Sequence, residues 1–287
     1  MLYLVTAVLA LLTLYGVLAV AMYCYQRKLI YRTSPLRVAP ADAGLDDIAE
    51  ISLLTPDGER LIAWYGAAAA GQPTLLYFHG QSGNLARRTE RIRFYRASGL
   101  GVFMLGYRGS SGSTGLPSEA ANVADAKLCR DWLIGQGVPA ERIIAYGESL
   151  GTGIAARLGA ETEVGGVILD SPFTSLVEVA VARHPWLPVE PFMLDRYETI
   201  KIVGTITAPL LVLHCEQDPI VPIAMGYRVY EAASEPKRLA TFAEGKHLNH
   251  TQFGSFTIVR EFLDDCLAPT GRGESGGDRE PARPTMH

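Results

Sequence analysis

Ile143-Ile144-Ala145-Tyr146-Gly147-Glu148-Ser149-Leu150-Gly151 is the stretch whose reading decides the fold. Four apolar or aromatic residues make a short strand, and the segment Thr152 to Ala160 that follows is rich in Ala, Leu and Arg, a helical composition. Between them lies Gly-x-Ser-x-Gly. A serine on a sharp strand-to-helix turn, with glycines that let neighbouring backbone approach, is a nucleophile elbow whose Oγ stands above the end of a sheet.

The sequence on either side repeats the same alternation. Ile48 to Leu54 and Leu61 to Tyr65 read as two strands joined by the turn Thr55-Pro56-Asp57-Gly58. Six further apolar runs follow: Thr74 to Phe78, Val102 to Leu105, Ile143 to Tyr146, Val167 to Leu169, Leu210 to Leu213 and Arg238 to Phe242. Short, continuously apolar strands belong in a sheet covered on both faces. Helical patterns fill the intervals, over Leu85 to Ala97, Ser118 to Gly135, Ile223 to Ala233 and Thr251 to Leu267. The expectation is an α/β fold with a mostly parallel, eight-stranded sheet and helices on both faces.

A serine hydroxyl needs a base within hydrogen-bond reach and an acid to orient that base. In this kind of fold the three follow in the order Ser, Asp or Glu, His. Asp218 lies just after the Leu210 to Leu213 strand, in Glu216-Gln217-Asp218-Pro219, where a plain turn-forming role before Pro219 is the competing reading. Glu216 is the alternative acid. His247 lies after the last strand in Gly245-Lys246-His247-Leu248-Asn249-His250, and Gly245 sets a turn that favours it over His250. The oxyanion hole needs two backbone N–H donors. Leu150, next to the nucleophile, supplies one, and Gln81 in His79-Gly80-Gln81-Ser82-Gly83-Asn84 supplies the other. His79 reads as a loop histidine packed under the site.

From Leu2 to Tyr25 no residue is charged, and those residues as a helix span about 36 Å, enough for a bilayer core of about 30 Å. Tyr23, Tyr25 and Tyr31 with Arg27, Lys28 and Arg32 form an interfacial collar. Nothing basic precedes the apolar run and bulky residues end it, which favours an anchor over a cleaved signal peptide. The basic residues on the C-terminal flank place the globular part on the cytoplasmic side. The expected organisation is an anchor over 1–26, a juxtamembrane linker over 27–45, a globular domain over 46–267 with a small cap at 176–208, and a disordered tail over 268–287. The tail is rich in Gly, Pro, Ser and charge and cannot bury a core.

Composition narrows the partners. A formal net charge of -4 offers no electrostatic case for nucleic acid. The four cysteines have no spacing for zinc or a disulfide framework, and neither a metal nor an organic cofactor is implied. A small-molecule or lipid acyl substrate is the expected partner, and oligomeric state is not legible.

The segments Tyr77 to Asn84, Gly106-Tyr107-Arg108-Gly109 through Gly115, Gly147 to Gly151, Leu169 to Ser175 and Asp218-Pro219-Ile220-Val221-Pro222 together resemble the Bem46-like branch of the α/β-hydrolases, also described under serine aminopeptidase-type hydrolase domains. Many members begin with a membrane anchor and a basic stretch like Gln26 to Tyr31. Two positions depart from the pattern: Cys215 stands where glycine is usual, and Leu248 separates His247 from Asn249. The resemblance implies a serine hydrolase, and beside an anchor the small apolar cap suggests fatty-acyl esters, lysophospholipids or acyl thioesters. A peptidase, amidase or acyltransferase using the same residues stays open, as does an inactive membrane scaffold.

Overall fold

The computed structural model describes residues 1–268; the tail expected over 268–287 lies, apart from Ala268, outside them. Eight strands form one sheet: β1 (Ala49–Leu54), β2 (Arg60–Gly66), β3 (Thr74–Phe78), β4 (Gly101–Gly106), β5 (Ile143–Glu148), β6 (Gly166–Asp170), β7 (Leu210–Cys215) and β8 (Lys237–Phe242). Their spatial order is β1-β2-β4-β3-β5-β6-β7-β8, and only β2 runs against the rest. Each of the eight expected strands is present.

The helices are α1 (Leu2–Ile30), α2 (Thr89–Ala97), α3 (Glu119–Gly135), α4 (Leu150–Glu161), α5 (Leu176–Arg183), α6 (Val189–Phe192), α7 (Thr199–Ile202), α8 (Ile223–Ala232) and α9 (Ser255–Leu267). Alternate strand residues point to opposite faces. Leu76 and Phe78 of β3 join the core under α3, α4 and α8, whereas Leu75 and Tyr77 join the core under α2 and α9. All five β3 residues are buried, as a strand at the middle of a two-faced sheet requires.

Three helix starts differ from the expectation. Leu85 to Arg88 is a 3-10 turn, because Thr89 Oγ1 bonds the Ala86 carbonyl at 2.8 Å and competes with regular helix there. The last helix begins at Ser255 rather than Thr251, after Gly254 turns at φ +79°. The helix after the elbow starts at Leu150, two residues early.

Helix α1 is long and apolar enough to cross a membrane, and none of its residues is buried. It continues four residues past the expected boundary at 26, carrying Arg27 and Lys28 along its last turn. Instead of ending in a free linker, it docks on the segment between β6 and β7, which carries α5, α6 and α7. Arg27 makes a two-bond pair with buried Asp195, at 2.9 and 3.2 Å, and Asp195 also accepts from the Glu119 N–H at 3.0 Å. Tyr31 and Tyr197 join hydroxyls at 3.0 Å, with Asn122 Nδ2 donating to Tyr197 at 2.9 Å. Past α1, Arg32–Thr33 pairs in parallel with Ser82–Gly83. The four cysteines are all free.

Candidate active site

Strand β5 delivers Ser149 with φ +51° and ψ -113°, a conformation that non-glycine residues rarely adopt. Crowding enforces it. A side chain at Gly151 would fall on the Phe78 carbonyl, and one at Gly147 on the Gly151 carbonyl. The Ser149 N–H is held by the Asp170 carbonyl at 2.8 Å, and its own carbonyl takes the Thr152 hydroxyl at 2.6 Å. Those contacts leave Oγ at the open end of the sheet, half-buried.

Asp218 and His247 are brought together by the loops after β7 and β8. His247 Nδ1 lies 2.6 Å from Asp218 Oδ2. Asp218 Oδ1 accepts the N–H groups of Ile220 at 2.7 Å and Val221 at 2.9 Å, so the carboxylate is fixed at both oxygens. Burial alone would push this carboxyl up. The bond and charge of His247, with the two N–H donors, outweigh it and hold the group below the ordinary range. Among the described residues Ser149 Oγ makes no hydrogen bond to His247, a gap common before substrate binds. Glu216 turns away to the Thr241 hydroxyl.

His250 has a different environment. Its ring is 1% exposed, with Nε2 2.7 Å from Asp170 Oδ2 and Nδ1 2.6 Å from Ser255 Oγ. Both nitrogens are engaged beneath the sheet end. Of the two histidines, His247 is the one that is paired with Asp218 and partly open to solvent.

The loop after β3 packs beside the elbow. A side chain at Gly80 would come within 3.7 Å of Ser149 Cβ. The Gln81 carbonyl accepts from the Arg32 N–H at 2.9 Å, which anchors the Gln81–Ser82 peptide that follows the Gln81 N–H. Leu150 is the first residue of α4, where backbone N–H groups have no partner within the helix and the helix dipole favours negative charge. His79 is 1% exposed; it stands on the Tyr107 ring at 4.3 Å and bonds the Gly80 carbonyl at 2.7 Å. Its Nε2 has no partner among the described residues, so the ring is less fully satisfied than expected. Burial, helped by Arg88, lowers its pKa to about 4 and keeps it neutral.

One buried cluster beside the site is not evident from the sequence. Glu148, the residue before Ser149, accepts from Tyr77 at 2.6 Å and from the Gly80 N–H at 3.3 Å. Arg88 and Arg91 each reach it at 3.2 Å. Tyr146 bonds Asp170 at 3.0 Å, and Arg91 touches both Asp170 at 3.5 Å and the Leu248 carbonyl at 3.4 Å. This buried network ties the loop after β3 to the loop that carries His247. The available signal was two acids, Glu148 and Asp170, each ending an apolar strand.

The two departures from the family pattern are accommodated. Gly245 packs closely on Cys215 Sγ, leaving room for a side chain where glycine is usual. Leu248 takes φ +63°, and Asn249 Oδ1 recloses the loop by accepting the Lys246 N–H at 2.6 Å.

No family model matches the chain. It is 30% identical over 310 residues to the alpha/beta hydrolase domain-containing protein WAV2 of Arabidopsis thaliana, covering 95% of this chain and 99% of that one. It is 31% identical over 201 residues to the lysophosphatidylserine lipase ABHD12 of Rattus norvegicus, covering 62% of this chain and 50% of that protein. The esterase PF2001 of Pyrococcus furiosus superposes with a TM-score of 0.68 at 20% identity, over 83% of this chain and 98% of that one, a likeness of fold.

Proposed function

The chain belongs to the α/β-hydrolase family, and we propose that it is a membrane-anchored serine esterase acting on fatty-acyl esters of the lysophospholipid type. The observation that carries the reading is the Asp218–His247 pair at 2.6 Å on the two loops beyond the elbow strand. His247 takes the Ser149 proton as Oγ attacks the ester carbonyl. Asp218, held ionised by its donors, stabilises the imidazolium that results. The N–H groups of Gln81 and Leu150 receive the developing alkoxide. Protonated His247 then passes its proton to the leaving alcohol, and water, activated by the same ring, clears the acyl-enzyme.

The lipid class is supported by three things: the length and apolarity of α1, the apolar cap beside it, and the lipase among the relatives. A helix of 29 residues is about 43 Å long and overreaches a bilayer core of about 30 Å. The excess lies at the end that carries Arg27 and Lys28 and docks on the cap. Basic residues on that flank support a cytoplasmic orientation of the catalytic domain; protease protection in sealed vesicles checks it.

The experiment is fluorophosphonate labelling of the solubilised full chain. Wild type is expected to label and Ser149→Ala not to. His247→Ala should lower ester turnover by about 10³-fold or more, as loss of a triad member does, while His250→Ala should mainly reduce stability. Well-folded wild type that neither labels nor cleaves esters would overturn the proposal.

A further inference from the structure

Helix α1 is more than a tether. Between its last turns and the cap lies a cavity of about 360 Å³, within the range of about 300–1,000 Å³ typical of small-molecule sites. One wall is α1 itself, through Ala19, Met22 and Ile30. With Gln26 these recur at three- and four-residue spacing, at 19, 22, 26 and 30, and are half-covered, in contrast to most of the residues around them. The other wall is the cap, through Leu176, Leu187 and Phe192. Gln81 also lines it, so the cavity reaches the oxyanion loop, whose Gly80 packs on Ser149.

We propose that this cavity holds the acyl chain of a single-chain anionic lipid drawn sideways from the bilayer, with the membrane helix forming half of the substrate site. The inference rests on the esterase reading for its chemistry. Three observations select the occupant. The walls are apolar and contiguous with a helix long enough to span lipid, so an acyl chain passes from bilayer to cavity without meeting water. At about 30 Å³ for each water-sized group, there is room for on the order of a dozen methylenes. Arg32 and Arg183 line the cavity and no carboxylate does, which suits an anionic head group. Arg32 sits at the inner end, its N–H donating to the Gln81 carbonyl at 2.9 Å.

The arrangement is held in place. Besides the Arg27–Asp195 and Tyr31–Tyr197 bonds, Gln26 donates to the Phe192 carbonyl at 3.2 Å and accepts the Leu194 N–H at 2.8 Å. Tyr15, half-way along α1, reaches the Trp186 carbonyl at 3.1 Å, so the cap follows the helix toward the lipid. Trp186, Phe192 and Leu194 of the cap are all about half exposed or more, as groups set in an interfacial layer would be.

The test fills the cavity from each wall in the full-length protein. Met22→Trp on α1 and Val189→Trp on the cap, both at lining positions, are compared with Leu9→Trp, which lies outside the cavity. Cleavage of p-nitrophenyl palmitate and p-nitrophenyl butyrate is measured for each. The expected result is a loss of tenfold or more in kcat/KM for palmitate in both cavity variants, with butyrate within twofold of wild type and Leu9→Trp unchanged on both. Equal losses on the two esters, or none, would overturn the inference. A second readout is independent of catalysis: Ser149→Ala protein in phosphatidylcholine vesicles is irradiated with a diazirine-bearing palmitate. Adducts on the cap peptide 176–193 that excess oleate competes away and that Met22→Trp removes support the site. Adducts confined to residues 2–18 exclude it. If wild type cleaves neither ester, the esterase reading fails, and the crosslink still decides the cavity.

Discussion

Glu148 and Asp170 face each other in register at the ends of adjacent parallel strands, both buried. Two carboxylates so placed repel, and burial pushes both up. Arg91, in contact with both, and the bond from His250 to Asp170 reverse the outcome. Asp170 is held down at about 2, against burial, by His250, Arg91 and Tyr146, and Glu148 is lowered chiefly by Arg91 and Arg88 against the same burial. A carboxyl depressed in the folded chain stabilises it above its unfolded pKa and loses that effect as pH falls through the folded value. For Asp170 the contribution is full above about pH 4 and fades toward pH 2, and it amounts to about 2 kcal/mol. Asp170→Asn is therefore expected to lower stability at pH 7 by that amount and to flatten the acid limb, measured by urea unfolding at pH 7, 4 and 3. A wild-type acid limb retained in the variant would remove Asp170 from this role. None of these contacts is visible in the chain as written, because Arg91 lies 79 residues before Asp170 and His250 lies 80 residues after it.

Strands, by contrast, were legible nearly to the residue. Continuous apolar runs such as Thr74 to Phe78 have no alternative fate in a chain of this composition, since both faces must be covered. Helix beginnings were not, because each is decided by a local competitor: the Thr89 hydroxyl, the left-handed Gly254, the strained Ser149. The stretch after Tyr25 departs furthest from its sequence pattern. Arg27 and Tyr31 look like an interfacial collar in sequence, yet their partners Asp195 and Tyr197 lie some 170 residues on. A charged pair of this kind, with one member buried, contributes about 1.5–3 kcal/mol when fully desolvated and less here, since Arg27 is nearly half exposed. Asp195→Ala should lower the melting temperature by a few degrees and speed tryptic cleavage after Arg183, as α1 loosens from the cap. Asp195→Asn should lose less, because its amide oxygen still accepts the Glu119 N–H. Identical behaviour of the two variants would place the energy elsewhere.

At the scale of the whole molecule, the candidate nucleophile, base and acid were each readable from a motif after a strand, since in this architecture the strand ends are where the loops converge. The cavity between α1 and the cap was not, because it exists only once residues 19–32 and 176–193 have been brought together. The bond from Arg32 to Gln81 has a further consequence. On the proposed reading, a catalytic domain tied to a membrane helix two residues past its end has no slack with which to search the solvent. The proposed reaction would then obey two-dimensional kinetics, governed by how crowded the substrate is within its leaflet. In mixed vesicles or micelles the rate should track the surface mole fraction of the ester and fall as inert phospholipid or detergent is added at constant bulk substrate. A rate that ignored such dilution would mean that substrate arrives through water.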